Sequence, residues 1–265
     1  MHADSHYIIG DSHKVCQDYA LHGVDSAGKP YIFLADGCSS AKDTDFGARI
    51  LCHSAKMYED EFFDENMENI FEHMRDERLD FDLPYEALYA TLLGAKSKEN
   101  GVISYLSGDG IIAGRKTDGT IEYSRVESPH SAPYYLMYDL ENNGPKDYVE
   151  QFGNFIKKTD ILIKPDGEIC LLEEIFFPYD NVLRTEFDLD GVPDFEVVAL
   201  FSDGVTSFVD ETKHTIHESV IIRELLDFKS IKGEFVHRRM TAALKKWKKM
   251  GWSHHDDLSM AAIIR

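Results

Sequence analysis

The chain has 265 residues, with 28 Lys and Arg against 48 Asp and Glu, and a formal net charge of −20. This balance argues against nucleic acid as a partner and against an anionic membrane surface, because both attract clustered basic residues. Hydrophobic residues make up 43% of the sequence and aromatic residues 12%. The chain can therefore build a core and is not a disordered acidic polymer.

The chain lacks recognisable targeting segments. No apolar segment follows a basic start at the N-terminus, as a signal peptide requires, and no stretch approaches the roughly 20 apolar residues that span a bilayer. The cysteines are widely separated, without a CxxC pair, and are typical of free thiols in a reducing compartment: Cys16, Cys38, Cys52 and Cys170. We therefore expect a cytoplasmic protein.

The first third of the chain predicts two strands and then helices. Residues 18–25 and 30–37 carry aromatic and β-branched residues on either side of a turn. Apolar residues then recur at helical spacing, which predicts a helix over 43–63. The same spacing extends the helical region over 66–79 and 85–98.

The rest of the chain returns to strands before ending in helices and a last strand. Asp118-Gly119 and the run KPDGE are turn signals that predict two hairpins. The continuous apolar run 195–201 predicts a strand buried on both faces. The remaining predicted elements are strands over 102–116, 120–126, 161–163, 169–174 and 258–264, and helices over 215–229 and 234–249.

This order of elements predicts the fold class. Strands and helices are segregated along the chain, which indicates an α+β fold with antiparallel sheets and not the alternating pattern of a parallel sheet. No repeat or linker divides the sequence, so we expect a single domain over 1–265. Periodicity is weak over 128–160, which predicts a mobile insertion, and we place a variable flap at about 128–190.

Four aspartates stand where apolar strands end or begin. Asp36 closes the run YIFLADG, Asp109 lies in LSGDG, Asp203 closes EVVALFSDG, and Asp256 precedes LSMAAII. Each motif alone is typical of a simple turn, but several such strand ends can bring acids together from distant positions. Converging carboxylates need a cation or bound protons to offset their repulsion. Oxygen-only ligand sets favour Mg²⁺ or Mn²⁺ over zinc.

The ordered set CQDYA, FLADGCSS, LSGDG, LFSDGVTSF and HDDLSMAAII resembles the motifs of the metal-dependent type-2C protein phosphatases, especially an atypical bacterial branch. The resemblance covers nearly the whole chain. It implies a four-layer α-β-β-α sandwich, in which two antiparallel sheets are flanked by helices. It also implies two Mg²⁺ or Mn²⁺ ions, with a possible third, in a cleft at one end of the sandwich.

The resemblance also implies roles for individual residues. Asp36 would bridge two metals, the carbonyl of Gly37 would bind the second, and Asp203 and Asp256 would hold the first. Asp18 would contact the metals directly or through water, and Asp109 would help to bind a third. Such a site hydrolyses phosphoserine or phosphothreonine in a protein substrate by attack of a metal-activated water.

Three positions depart from the pattern of many family members. His13 stands where an Arg often grips the substrate phosphate, and histidine cannot form the bidentate fork of Arg. His13, at the position of this phosphate-binding Arg, and Asp18, beside the implied metals, are the candidate catalytic residues. Gln17 stands where Glu is frequent, and Cys38 stands where some members have a His proposed as general acid.

Other sites are less consistent with the sequence. A cysteine-nucleophile site would need Cys-x5-Arg, which is absent after Cys16 and Cys38. His254-His255 could suggest zinc, but no second ligand pair supports it. The basic residues between 238 and 249 are typical of a solvated helix face, with an acidic docking partner as the alternative reading.

The sequence thus predicts a metal-dependent serine/threonine phosphatase that acts on phosphorylated proteins, and we expect a monomer. Two alternatives stay open. The protein could be a catalytically weak or inactive relative that binds a phosphorylated partner, as the loss of Arg at His13 suggests. It could also be a phosphatase for a small phosphorylated metabolite.

Overall fold

A computed structural model describes residues 1–63, 66–141, 143–179, 183–188 and 194–265. These described residues form fourteen strands and six α-helices. The strands are β1 (His2–Ile8), β2 (Asp18–Val24), β3 (Pro30–Asp36), β4 (Leu92–Ser97), β5 (Gly101–Ser107), β6 (Gly110–Lys116), β7 (Ile121–Glu127), β8 (Ile156–Ile163), β9 (Ile169–Phe177), β10 (Leu183–Asp188), β11 (Phe195–Phe201), β12 (Phe208–Val209), β13 (Ser253–His254) and β14 (Leu258–Ile264). The helices are α1 (Thr44–Met57), α2 (Glu59–Phe63), α3 (Glu68–Asp80), α4 (Gly144–Phe152), α5 (Glu218–Leu225) and α6 (Phe235–Lys249).

Most strands belong to two antiparallel sheets. The larger sheet has the order β1-β14-β11-β6-β7-β8-β9, and the smaller has the order β10-β5-β4-β3-β2. One apolar layer fills the space between the sheets, a second lies between the smaller sheet and α1 to α3, and a third lies between the larger sheet and α5 and α6. The predicted α-β-β-α sandwich is confirmed.

Strand β3 shows why the central strands read as continuous apolar runs. Ile32 and Leu34 point into the layer between the sheets, whereas Phe33 and Ala35 face the helices. All four side chains are fully buried. A strand that is covered on both faces has no polar alternation. The same reason explains the run in β11, which was predicted correctly.

The predicted helix over 85–98 is wrong. Residues Tyr85–Leu88 form one 3₁₀ turn, and the chain then enters β4, an internal strand of the smaller sheet. Leu92 faces the helices, while Leu93 faces the other sheet. A short segment that is apolar on both faces fits a buried helix or a buried strand equally well by periodicity.

The other helices were predicted with shifted boundaries. The helix expected over 43–63 is interrupted at Tyr58, whose φ of −119° is not helical, and becomes α1 and α2. Helix α5 is shorter than the predicted 215–229 because His217 caps it, accepting a hydrogen bond from the backbone amide of Ser219. Of the described helices, none is both long and apolar enough to cross a membrane.

The segment predicted as an insertion packs through aromatic side chains. Helix α4 and the 3₁₀ turn Leu136–Leu140 lie within it. Tyr134, Tyr135 and Tyr148 are at most 6% exposed, and Tyr134 contacts Tyr148 edge to face at 5.0 Å. The region around Tyr135 therefore forms a packed wall beside the rest of the molecule. Residues 142, 180–182 and 189–190 of the predicted flap lie outside the described residues.

Candidate active site

The antiparallel pairing of β2 and β3 places two acids against each other. Strand β2 begins at Asp18 and β3 ends at Asp36, and these residues are direct partners in the register. The backbone amide of Asp36 donates a hydrogen bond to Thr91 Oγ1 at 3.1 Å, which fixes the end of β3 against the segment before β4. This pair of strand ends forms the part of the site contributed by the smaller sheet.

The larger sheet delivers three further acids to the same end of the sandwich. Phe201, near the end of β11, pairs with Met260 of β14 and with Ile111 of β6. Asp203 follows β11, and Asp256 precedes β14. Asp109 precedes β6 in the turn from β5, where Gly108 and Gly110 adopt positive φ values of 95° and 136° that glycine tolerates best.

A cavity of about 450 Å³ opens where these strand ends meet. Five of the predicted residues line it: Asp36, Gly37, Asp109, Asp203 and Asp256. Cys38, Arg125, Glu127 and Tyr135 are also on its wall. His13 and Asp18 are not among the lining residues; they lie behind the wall.

Burial makes the inner carboxylates weak acids. Asp18 is 1% exposed, and burial raises its pKa to about 7, although Ser202 Oγ donates a hydrogen bond to Asp18 Oδ2 at 2.7 Å. Burial also raises the pKa of Asp36 well above its usual range, and the charges of Asp18 and Asp203 add to this effect. The protein holds these acids together at a cost in stability.

Asp109 and Asp203 share this environment. Burial is the largest cause that raises the pKa of each, and the charge of the neighbouring acid (Asp203 for Asp109, Asp256 for Asp203) is the next that raises it. The Oδ1 atoms of Asp203 and Asp18 are buried and accept no hydrogen bond from the described residues. A buried carboxylate oxygen without a donor is costly in a folded protein.

The chemistry of this donor set fits a hard divalent cation. All the acids offer oxygen, which Mg²⁺ and Mn²⁺ prefer, and two of their buried oxygens accept no hydrogen bond from the part of the chain that the structure describes. As the side chains stand, the described residues include no group of three His, Cys, Asp or Glu that could hold a metal ion. The side chains would therefore have to reorient on binding.

Behind this wall, Asp257 ties together three parts of the N-terminal segment. Its Oδ1 accepts a hydrogen bond from the Gly10 amide at 2.7 Å, and its Oδ2 accepts one from the Gln17 amide at 2.6 Å. His13 Nδ1 lies 2.9 Å from the same Oδ2, and His13 Nε2 lies 3.4 Å from Asp256 Oδ1. Burial tends to lower the pKa of His13, but Asp257 and the neighbouring charges raise it on balance.

The family is decided by comparison of the whole sequence. The family model described as protein phosphatase 2C matches residues 6–247. This chain belongs to the protein phosphatase 2C family. No significant match was found among curated proteins.

Solved structures share the fold at low sequence identity. A serine/threonine phosphatase from Staphylococcus aureus aligns with a TM-score of 0.57 at 15% identity, covering 99% of this chain and 94% of its own. A serine/threonine phosphatase from S. agalactiae aligns with a TM-score of 0.50 at 14% identity, covering 100% and 99%. PppA of Pseudomonas aeruginosa, described as a regulatory component of T6SS, gives 0.50 at 15% identity, covering 100% and 97%.

In this member of the family, Gln17 holds the loop after Asp36. Its Nε2 donates to Thr44 Oγ1 at 2.5 Å and to the Cys38 carbonyl at 3.2 Å, and its carbonyl accepts from the Gly37 amide at 3.1 Å. The backbone of Gln17 thus holds Gly37, and its side chain joins the Cys38 carbonyl to Thr44 at the start of α1. The sequence shows only that Gln17 replaces a frequent Glu and gives no sign of these contacts.

Two glycines, Gly10 and Gly204, let the backbone close around residues 256–257, and of the two only Gly204 stands in a motif that the sequence singles out. A Cβ atom on Gly10 would lie 2.3 Å from the carbonyl carbon of Asp256. A Cβ atom on Gly204 would lie 1.7 Å from the carbonyl oxygen of Asp257. Any larger side chain at either position would displace this strand end.

The structure gives little support to a cysteine nucleophile or to a zinc site. Burial raises the pKa of Cys16, which makes its thiol a poor nucleophile. Burial tends to raise the pKa of Cys38, but hydrogen bonds with Ser40 and Tyr135 lower it on balance. His254 is buried, packs against Phe208 at 5.2 Å, and has Nδ1 2.9 Å from the Asp256 carbonyl, which is a packing role.

Proposed function

We propose that this protein is a metal-dependent serine/threonine phosphatase that dephosphorylates proteins. The observation that carries the proposal is the convergence of Asp36, Asp109, Asp203 and Asp256 on one cavity at the end of a protein phosphatase 2C sandwich. Acids from four separate strand ends have little structural reason to share a cavity, because each adds repulsion. A reaction that depends on bound cations would explain why they converge.

We propose as ligands the residues that the resemblance to the family implies. Asp36 and the carbonyl of Gly37 would hold ions on the side of the smaller sheet, and Asp203 and Asp256 would hold them on the side of the larger. Asp109 would help to hold a third ion that binds more weakly. Asp18, which lies beneath Asp36, would contact the ions from that side. Bound Mg²⁺ or Mn²⁺ would supply an activated water and neutralise the phosphate charge.

The chain's own side chains would orient the substrate. Arg125 is the one Lys or Arg among the described residues that line the cavity. Its guanidinium pairs with Glu218 at 2.9 Å and with Glu127 at 3.1 Å. Its charge offsets the negative charge that Glu127 adds to the cavity wall. His13 would act from behind the wall by fixing the carboxylate of Asp256.

The test compares hydrolysis of p-nitrophenyl phosphate and a phosphothreonine peptide in Mn²⁺ and in chelator. We expect turnover in Mn²⁺ only, and a loss of at least about a hundredfold in Asp36→Asn and Asp203→Asn. Asp118→Asn, in the exposed β6–β7 turn, is the matched control. Mn²⁺-bound protein that turned over neither substrate would refute the proposal.

One observation favours a second candidate, a weak or inactive relative that binds phosphorylated partners. Both ring nitrogens of His13 lie within 3.4 Å of carboxylate oxygens, so this side chain is not free to grip a phosphate. Binding of the phosphopeptide without turnover would support this candidate. Turnover of p-nitrophenyl phosphate but of no phosphopeptide would instead favour a small phosphorylated metabolite as substrate.

A further inference from the structure

A row of positive side chains runs along the solvent side of α6. Arg238, Lys245 and Lys249 are seven and four residues apart, a spacing that aligns them on one face of a helix, and Lys248 lies beside them. All four are exposed. We call these four residues the basic ridge. It lies opposite the buried side of α6, which packs on the larger sheet through residues such as Met240 and Trp247.

The ridge differs from the other cations of the same helix. Arg239 and Lys246 both pair with Glu224, at 3.0 Å and 2.7 Å. In the described part of the chain, no residue of the basic ridge forms an ion pair with a carboxylate. Unpaired cations grouped on one surface are unusual in a chain whose net charge is −20. Their attraction is therefore available to a partner.

Helix stability alone does not explain the ridge. Lysines in the last turn do interact favourably with the helix dipole, which applies to Lys248 and Lys249. Arg238 lies near the N-terminal end of α6, where a positive charge is unfavourable. The ridge thus extends beyond the last turn of α6, which is where the helix dipole stabilises positive charge.

The C-terminal part of α6 packs, through its buried side, on the chain that follows Asp203. Trp247 packs edge to face on Phe208 at 5.0 Å, and Phe208 follows the turn Asp203–Thr206. Phe208 also pairs with His254 in the short ladder of β12 and β13. A segment bound along the ridge would therefore lead toward the end of the sandwich that holds the cavity.

We propose that the basic ridge is a docking surface for an acidic, extended segment of a protein partner. The ridge spans twelve residues, or about 16 Å of helix, which matches about five residues of extended chain. A nucleic acid duplex is disfavoured by the net charge of −20 on the whole chain. Charge complementarity therefore favours a short acidic peptide.

The proposal rests on charge and not on the phosphatase reaction, so binding can be tested without turnover. The probe is a fluorescein-labelled peptide of six alternating Glu and Asp residues spaced by Gly-Ser, measured by fluorescence anisotropy at low salt. The variant is K245E/K248E/K249E. The control is K98E/K146E/K164E, which makes the same charge change at exposed lysines elsewhere. The neutral K245Q/K248Q/K249Q serves if the reversed variant does not fold.

We expect the ridge reversal to weaken peptide binding by at least about tenfold and the control by less than about threefold. Hydrolysis of p-nitrophenyl phosphate, where present, should be unchanged in both. Equal loss in the two variants, or no binding by the unaltered protein, would overturn the proposal. So would equal or tighter ridge-dependent binding of a DNA duplex or of phosphatidylserine vesicles. Peptide binding without any phosphatase activity would leave the proposal standing and refute only the proposed reaction.

Discussion

Asp18 and Asp36 lie directly opposite each other in the antiparallel register of β2 and β3. Like charges at such positions destabilise a strand pair. Burial makes the conflict stronger, because water no longer screens the two carboxylates. The end of the sandwich therefore carries a cost in stability, which the proposed cations would offset.

Replacing Asp36 by Asn should stabilise the metal-free protein. The substitution keeps the shape of the side chain and removes one buried acid from the cluster, which we expect to raise the free energy of unfolding by about 1–2 kcal/mol, or Tm by about 3–6 °C. Thermal denaturation in chelator measures this. In Mn²⁺ the unaltered protein should be more stable than Asp36→Asn, because a ligand that binds only the native state stabilises it. An Asn variant that Mn²⁺ still stabilised as strongly would exclude Asp36 as a ligand.

Replacing Asp257 by Asn should destabilise the protein strongly. Asp257 is 1% exposed and accepts hydrogen bonds from the Gly10 and Gln17 amides. An amide turns one of these acceptors into a donor facing another donor, at an expected cost of about 2–4 kcal/mol. Urea denaturation measures the loss. Asp256→Asn is the matched control, because its side chain is 42% exposed and should cost less than about 1 kcal/mol. Equal losses would contradict this role for Asp257.

The strands that the sequence predicts best are buried on both faces and have an acid at one end. The apolar runs of β3 and β11 are followed by a polar turn and that of β14 is preceded by one, and these boundaries mark each run as a strand. The segment of β4 misleads for the same reason, since two apolar faces remove the alternation that marks a strand. Strand β1 was not assigned, because its residues HADSHYI alternate weakly and its pairing with β14 is formed across the whole chain.

The candidate site could be predicted only in part. Asp36, Asp109, Asp203 and Asp256 carry a local signal, an apolar strand that ends or begins at an acid, and the structure places all four on one cavity. Their role as metal ligands stays a prediction. The part played by Asp257 depends on partners 240 and 247 residues away in the sequence. No local pattern carries such contacts, which exist only once the sheets have packed.

Replacing His13 by Arg should strengthen the grip on phosphate. The ring nitrogens of His13 already lie beside carboxylate oxygens of Asp256 and Asp257, whereas Arg has five donors and could contact both carboxylates while offering other donors to the substrate. We expect KM for p-nitrophenyl phosphate to fall at least about threefold while kcat changes less than about twofold. His13→Lys, which adds charge without the planar fork, should show a smaller gain. An unchanged KM in His13→Arg would shift the role of phosphate contact to Arg125.

His6 should make folding sensitive to mild acid. Its ring stacks on His237 of α6 at 4.3 Å, and burial, with the charge of His237, lowers its pKa below the usual 6.5, although Asp4 and Glu234 act in the opposite direction. The unfolded chain therefore binds more protons here than the native protein. The contribution of His6 to stability is fully present above about pH 6.5 and is lost as the pH drops through its native pKa.

His6→Phe keeps an aromatic ring beside His237 but cannot take up a proton. The free energy of unfolding of this variant, measured in urea, should fall less between about pH 7 and about pH 5.5 than that of the unaltered protein. His214→Phe is the matched control, because that ring is 85% exposed. Parallel pH profiles for His6→Phe and the unaltered protein would show that the stack at β1 and α6 does not couple folding to protonation.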